Sequence, residues 1–336
     1  MKRIVFIIVT LMIALSLLTA CSPASDIPDV IDVPDISDAE PEEINEPREL
    51  PPFLANPPTP RPTEILEEKA VGFMYDYESL TYELVWSDEF DYEGLPDPDK
   101  WGYDVGGHGW GNNELQFYTD DGNAWVDGEK LIIEARMTPD GEERGGRNVT
   151  SARVISKDKG DWLYGRVEVR AKLPAGLGSW PAIWMLPTDW EYNNTWPDSG
   201  EIDIMEHVGF DLNNVHASIH TLAFHHSIGT NKGSGPRHIP TATEEFHIYS
   251  IEWLPDRIHF FFDDDLVYTY DPTNYSNRVT FEEWPFDKRF HLLMNIAWGG
   301  DWGGSRGVDD DALPVRMEID YVRVYQSPEI NALIAG

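Results

Sequence analysis

Short runs in which apolar and polar residues alternate recur from about residue 130 to the C-terminus, as in strands with one buried face. The pattern predicts strands at 130–135, 165–171, 201–205, 215–221, 247–253, 257–262, 290–297 and 317–325. Turn residues separate these runs, and helical periodicity is almost absent. The chain is therefore predicted to form an all-β sandwich of antiparallel sheets.

The first 75 residues have a different composition. A basic start and an apolar run that ends at Cys21 predict an export signal over residues 1–21. Residues 22–75 are rich in proline and acidic residues, which predicts a disordered tether. The remaining residues, 76–336, are long enough for one large β domain, and we see no internal repeat or second domain.

Cys21 is the only cysteine, so no intrachain disulfide is possible. The segment Leu18-Thr-Ala-Cys21 resembles the lipobox of bacterial lipoproteins, in which this cysteine is lipidated and becomes the mature N-terminus. The resemblance implies an exported lipoprotein anchored at the cell surface or in the periplasm. An ordinary cleaved signal, in which Cys21 is discarded or incidental, is the alternative.

The net charge of the chain limits the classes of ligand that it can bind. Its 60 acidic and 25 basic residues give a formal net charge of −35. Phosphate binding needs clustered Lys and Arg, which this chain lacks, so nucleic acid is excluded as a partner. The same negative charge disfavours acidic polysaccharides as substrates. A neutral glycan fits this charge better.

Three carboxylates, Glu201, Asp203 and Glu206, lie within six residues among apolar neighbours. In a regular strand Glu201 and Asp203 share a face, while Glu206 points to the other side, into the core. One extra residue in a β-bulge, most simply Met205, returns Glu206 to the face of the other two. The segment is therefore predicted to present three acids in a row.

A row of carboxylates suits acid–base chemistry, because like charges raise one another's pKa and allow a proton to be shared. Retaining glycoside hydrolysis needs a nucleophilic carboxylate and a protonated one roughly 5 to 5.5 Å apart. Glu201 and Glu206 are candidates for these two roles, with Asp203 between them. The alternative is a solvated acidic face on an edge strand.

The motif Glu-x-Asp-x-x-Glu resembles the signature of glycoside hydrolase family 16, in the bulged branch that includes bacterial laminarinases. The resemblance extends from about Tyr82 to Gln326. It implies a curved β-jelly roll with a cleft across its concave sheet. It also implies that Glu201 is the nucleophile, that Asp203 assists, and that Glu206 is the acid/base.

The resemblance also implies substrate-binding residues. Asn112 lies in the glycine-rich run 106–119, which is similar to a segment at the mouth of the laminarinase cleft, and His220 is expected near the nucleophile. Trp180 and Trp184 lie four residues apart, which suits sugar stacking, although a pair of core tryptophans is the alternative. Arg136 is either a hydroxyl donor in the cleft or a surface salt-bridge partner.

Three further segments of the sequence match those that hold a structural calcium ion in related enzymes. The ligands would be the carbonyl groups of Glu89 and Gly128 and the carboxylate of Asp320, and oxygen-only ligation suits calcium. Turns without a metal are the alternative. No cofactor is expected for catalysis.

The sequence thus predicts a monomeric, membrane-tethered endo-β-1,3-glucanase that cleaves laminarin-like glucans with retention. One alternative is a hydrolase of the same fold for mixed-linked 1,3-1,4-β-glucan or another neutral glycan. The other is a non-catalytic surface protein that binds glycans, since an aromatic groove on a sandwich also occurs in lectins.

Overall fold

A computed structural model describes residues 79–139 and 142–335. The predicted signal, Cys21 and the predicted tether lie outside the described residues. Two sheets form the domain, and we number their strands in chain order. Apart from the parallel pair formed by Gln116–Tyr118 and Val149–Ser151, the strand pairs of the described residues are antiparallel.

The first sheet contains, from edge to edge, β18 (Asp265–Tyr270), β17 (Ile258–Phe262), β16 (His247–Trp253), β10 (Gly165–Lys172), β20 (Val315–Gln326), β6 (Leu131–Met137), β5 (Ala124–Asp127) and β2 (Glu93–Gly94). Three further strands branch from it: β1 (Glu83–Asp88) pairs with β20, β7 (Val149–Ser151) with β6, and β4 (Gln116–Tyr118) with β7.

The second sheet contains, in order, β14 (Lys232–Gly233), β13 (Asn214–His220), β12 (Glu201–His207), β11 (Ser179–Pro187), β19 (Phe290–Trp298), β8 (Arg153–Ile155) and β3 (Gly102–Tyr103). The strands β15 (Arg237–His238) and β9 (Asp161–Trp162) pair with β13 and β19. Short 3₁₀ turns lie at His226–Ile228, Pro272–Asn274 and Asp310–Ala312.

The eight predicted strands are all present, with ends that differ by at most two residues. The sequence pattern did not predict the helix α1 (Pro328–Ala335), which is too short to show a clear helical period. Its Glu329 accepts a hydrogen bond from the hydroxyl of Thr81 at 2.8 Å, which fastens the helix to the segment before β1. Within the described ranges, no helix has the length and apolar character needed to cross a membrane.

The core lies between the two sheets, and strand alternation explains how it forms. Along β10 every second residue is buried, and Val167, Val169 and Ala171 point into the core. The opposing sheet contributes the apolar face of β12 and the central strand β19, which is buried along its whole length. The all-β sandwich predicted from the sequence is confirmed, and it leaves the other face of β12 for polar residues.

Candidate active site

The three acids lie on β12, and a bulge brings them to one face. Between Asp203 and Glu206, two residues of β12 lie opposite the single residue Ala217 of β13. These two residues, Ile204 and Met205, are both fully buried in the core. The extra residue shifts the alternation by one, so Glu206 returns to the face of the other acids. The bulge predicted at Met205 is confirmed, and Ile204 shares it.

An indole N–H binds each of the two glutamates. Trp196 donates from Nε1 to Glu201 Oε2 at 3.1 Å, and Trp180 donates from Nε1 to Glu206 Oε1 at 3.0 Å. Both tryptophans are half-buried, so each indole also exposes surface beside the acid that it binds. Each bond fixes one oxygen of its carboxylate and leaves the other for a ligand.

Asp203 joins the acids to a histidine. The hydroxyl of Ser218 donates to Asp203 Oδ2 at 2.6 Å, and His220 Nε2 lies 3.3 Å from the same oxygen. His220 Nε2 also lies 3.7 Å from Glu201 Oε1. One side-chain N or O atom from each of Glu201, Asp203 and His220 lies within 4.8 Å of the other two. The structure therefore places His220 beside the proposed nucleophile.

Burial and charge act in opposite directions on the pKa of His220. Burial lowers this pKa, but the hydrogen bond with Asp203 and the carboxylate charges outweigh it and raise the pKa to about 9. The main-chain N–H of His226 approaches His220 Nδ1 at 3.4 Å, which favours a lone pair on that nitrogen. This contact is long and weak.

Both glutamates have a raised pKa. Burial raises the pKa of both Glu201 and Glu206, and the charge of Asp203 raises both further. The charge of Arg153 lowers the pKa of Glu201, whereas the charge of Glu201 raises the pKa of Glu206. The pKa of each glutamate is raised to about 8, so the pair holds a proton near neutral pH.

Asn112 belongs to a buried polar network. Its Nδ2 donates to Glu114 Oε1 at 3.4 Å, and the hydroxyl of Tyr118 donates to Glu114 Oε2 at 3.1 Å. The Tyr118 hydroxyl also accepts from Asn295 Nδ2 at 3.0 Å, and Asn295 Oδ1 accepts from Trp184 Nε1 at 2.8 Å. The network links the glycine-rich loop that carries Asn112 to β19 and β11 in the sheet that carries the acids.

The sequence reasoning missed Arg153, which is a further cation of the site. Its guanidinium lies close to two indole rings, 4.8 Å from the ring centre of Trp110 and 4.5 Å from that of Trp184. The side chain is buried, and its Nε lies 3.1 Å from Asp104 Oδ2. Arg153 belongs to the three-residue strand β8, which is too short to give a periodic signal.

Arg136, in contrast, does not join the acids. It lies on β6, in the first sheet, and its Nη1 donates to Glu134 Oε1 at 3.0 Å. The side chain is 41% exposed. Of the two roles considered for Arg136, this placement favours the surface salt bridge, and Arg153 is the arginine that lies at the catalytic sheet.

The segments that carry the predicted calcium ligands border one edge of β20. The strands β6 and β1 pair with successive parts of that edge, and the gap between them lies at Asp320, near Glu89 and Gly128. The carboxylate of Asp320, however, accepts a hydrogen bond from Arg170 Nη1 at 2.5 Å. An ion bound there would have to use Oδ1 of Asp320 or displace this guanidinium from Oδ2.

A row of three acids, one buried and two half-buried, with indole and histidine partners suits glycoside hydrolysis. The sequence pattern of Glycosyl hydrolases family 16 matches residues 110–323, which is more than half of the chain. The chain belongs to glycosyl hydrolase family 16. The predicted family is thereby confirmed, and the chain is a glycoside hydrolase of a family whose glucanases need no cofactor for catalysis.

Similar proteins support the same assignment. The chain is 55% identical over 249 residues to a protein named Beta-glucanase from Rhodothermus marinus, which covers 73% of this chain and 85% of the relative. The structure of the laminarinase from Rhodothermus marinus superposes with a TM-score of 0.71 and 54% identity, over 74% of this chain and 99% of that one. SCLam, described as a non-specific endo-beta-1,3(4)-glucanase from this family, superposes with a TM-score of 0.68 and 42% identity, over 74% and 93% of the two chains.

Proposed function

We propose that this family 16 glycoside hydrolase is an endo-1,3-β-glucanase that cleaves laminarin-like glucans with retention by double displacement. The observation that carries the proposal is the bulge on β12, which brings two glutamates, each bound by an indole N–H, to one face of the strand. The similarity to the Rhodothermus marinus laminarinase supports the choice of substrate.

Each acid has one role in this proposal. Glu201, as a carboxylate, attacks the anomeric carbon and forms a glycosyl-enzyme bond as the glycosidic C–O bond breaks. Glu206 gives its proton to the leaving oxygen, and then takes a proton from the water that releases the sugar. The contact between Asp203 and His220 balances the negative charge of the site. The indole N–H groups of Trp196 and Trp180 orient the two glutamates.

Laminarin hydrolysis followed by proton NMR tests this function. A retaining endo-enzyme releases a ladder of oligosaccharides whose new reducing ends are first in the β configuration. Glucose as the sole early product, or α ends first, would contradict the proposal.

A second candidate is cleavage of mixed-linked 1,3-1,4-β-glucan, and the similarity to the non-specific enzyme SCLam favours it. Reducing-end assays on laminarin, barley β-glucan and a neutral galactan distinguish these substrates. Binding without hydrolysis of any of them would instead indicate a surface protein that only binds glycans.

We also propose that Cys21 carries a lipid that anchors a monomeric enzyme to a membrane after export. Several acyl chains, at about 0.8 kcal/mol per buried methylene group, make a firm anchor. In cells that process lipoproteins, Cys21→Ser should move the enzyme from the detergent phase of a Triton X-114 partition to the aqueous phase. An unchanged partition would contradict the anchor.

A structural calcium ion at Glu89, Gly128 and Asp320 is a further proposal. A ligand at one hundred times its Kd stabilises the folded state by about 2.7 kcal/mol, so EGTA should lower Tm by roughly 5 to 10 °C in a domain of this size. Asp320→Asn should remove the calcium-dependent part of Tm. Equal Tm values with calcium and with EGTA would show that the turns function without the ion.

A further inference from the structure

A groove of about 540 Å³ lies where β12 ends, and the role of its lining residues is not explained by the reaction itself. Leu177, Phe210, Asp211 and Arg306 line it. Phe210 follows Glu206 by four residues, so the two α-carbons are at most about 14 Å apart. The groove is therefore within reach of a chain of sugars whose scissile bond lies at Glu206.

Aromatic side chains extend from Glu206 to the turn that precedes Arg306. Trp180, whose indole N–H binds Glu206, packs edge-on against Trp302 with ring centres 5.6 Å apart. Trp302 also packs edge-on against His216 at 5.1 Å. The tight turn that carries Trp302, closed by the bond from Ser305 N to Trp302 O at 3.0 Å, continues into Arg306.

The two walls of the groove are held together by backbone contacts. Gly209 N donates to Ser179 O at 2.9 Å, and a Cβ at Gly209 would lie 1.7 Å from Gly176 O, so only glycine fits there. On the other side, Asp309 N donates to Leu177 O at 2.9 Å. The position of Phe210, next to Gly209, is therefore fixed by the backbone, and a ligand would meet a preformed surface.

The lining has the chemistry of a sugar site. The half-buried ring of Phe210 offers an apolar platform for the C–H face of a pyranose, with little loss of side-chain entropy. The exposed Arg306 offers hydrogen-bond donors and no acceptor, which suits sugar hydroxyl oxygens. Asp211 accepts from Asn214 Nδ2 at 2.6 Å and has a second oxygen for a hydroxyl donor.

We propose that this groove is an outer subsite that binds glucose units on the leaving-group side of the scissile bond. The proposal rests on the proposed function, because it takes Glu206 as the group that protonates the leaving oxygen. Phe210 and Arg306 then make the enzyme prefer long chains, since short oligosaccharides that bridge the acids do not extend to the groove.

The test is kcat/KM on a series of 1,3-β-gluco-oligosaccharides from three to eight units and on laminarin. Phe210→Ala and Arg306→Ala should each lower kcat/KM roughly tenfold on the long substrates, which corresponds to the loss of one good aromatic or charged contact. The same variants should match the wild type on the shortest substrate that it cleaves. Phe210→Tyr, which keeps the ring, should restore the preference for long chains, and Phe210→Leu should not.

The matched control is Arg278→Ala. Arg278 is also exposed, but it lies between β18 and β19, in the segment whose Pro285 and Phe286 approach Gly200 at the opposite end of β12. This variant should show the wild-type dependence on chain length. Equal losses on short and long substrates, or no loss on either, would overturn the subsite while laminarin hydrolysis by the wild type still supports the proposed function. A wild type that cleaves no 1,3-β-glucan would overturn both.

Discussion

Glu201→Ala should lower kcat on laminarin by roughly four orders of magnitude, because it removes the carboxylate that forms the glycosyl-enzyme bond. The fold should survive, since Glu201 points away from the core formed by Ile202 and Ile204. Steady-state kinetics with circular dichroism as the folding control measure both expectations. Turnover at the wild-type rate would refute the assignment of the nucleophile.

Azide distinguishes the roles of the two glutamates. In Glu201→Ala, azide can occupy the vacated space and attack an activated glucosyl fluoride directly, which gives an α-glycosyl azide. In Glu206→Ala, the glycosyl-enzyme still forms from a substrate with a good leaving group, and azide then displaces Glu201 to give the β-azide. Reversed anomers in the two variants would show that the roles of the glutamates are exchanged.

Asp203→Asn should lower kcat roughly a hundredfold and change the pH profile, since general acid–base catalysis contributes about this much. The charge of Asp203 raises the pKa of Glu206, so removing the charge lowers that pKa. The alkaline limb of kcat reports the loss of the Glu206 proton, so it should move to lower pH. The profile of kcat from pH 4 to 10 measures the shift.

Ser218→Ala is the matched control for this change. It removes the hydrogen bond to Asp203 Oδ2 and keeps the negative charge. The alkaline limb should therefore stay at its wild-type position, with a smaller loss of kcat. An alkaline limb that is equally displaced in both variants would mean that hydrogen bonding, rather than charge, sets the proton affinity of Glu206.

The sequence was sufficient to predict the bulge, because counting along β12 leaves Glu206 in the core unless one residue is added. It was also sufficient for the long strands, whose alternation is set by their own side chains. The hydrogen bond from the Trp196 indole to Glu201 could not be predicted, because it depends on how the loop before β12 folds back over the sheet. Hydrophobic periodicity predicts a strand, but it does not predict how the loop next to that strand folds.

The two arginines show the same limit. Alternation correctly groups Arg136 with Glu134 on one face of β6, and the pair forms a salt bridge. It does not reveal which sheet the strand joins, and this depends on long-range pairing with β20 and β7. Arg153 was missed because its interactions with Trp110 and Trp184 connect segments far apart in the chain.

The bulge on β12 also has a consequence for how such enzymes diverge. An enzyme without Met205 would have the sequence Glu-Ile-Asp-Ile-Glu at this place. Regular strand alternation would then put all three acids on one face without a bulge. A single-codon deletion thus removes a buried methionine and spares the reactive groups. The bulged and unbulged forms of the motif can therefore interconvert by one deletion or insertion, without an intermediate that lacks the proton donor.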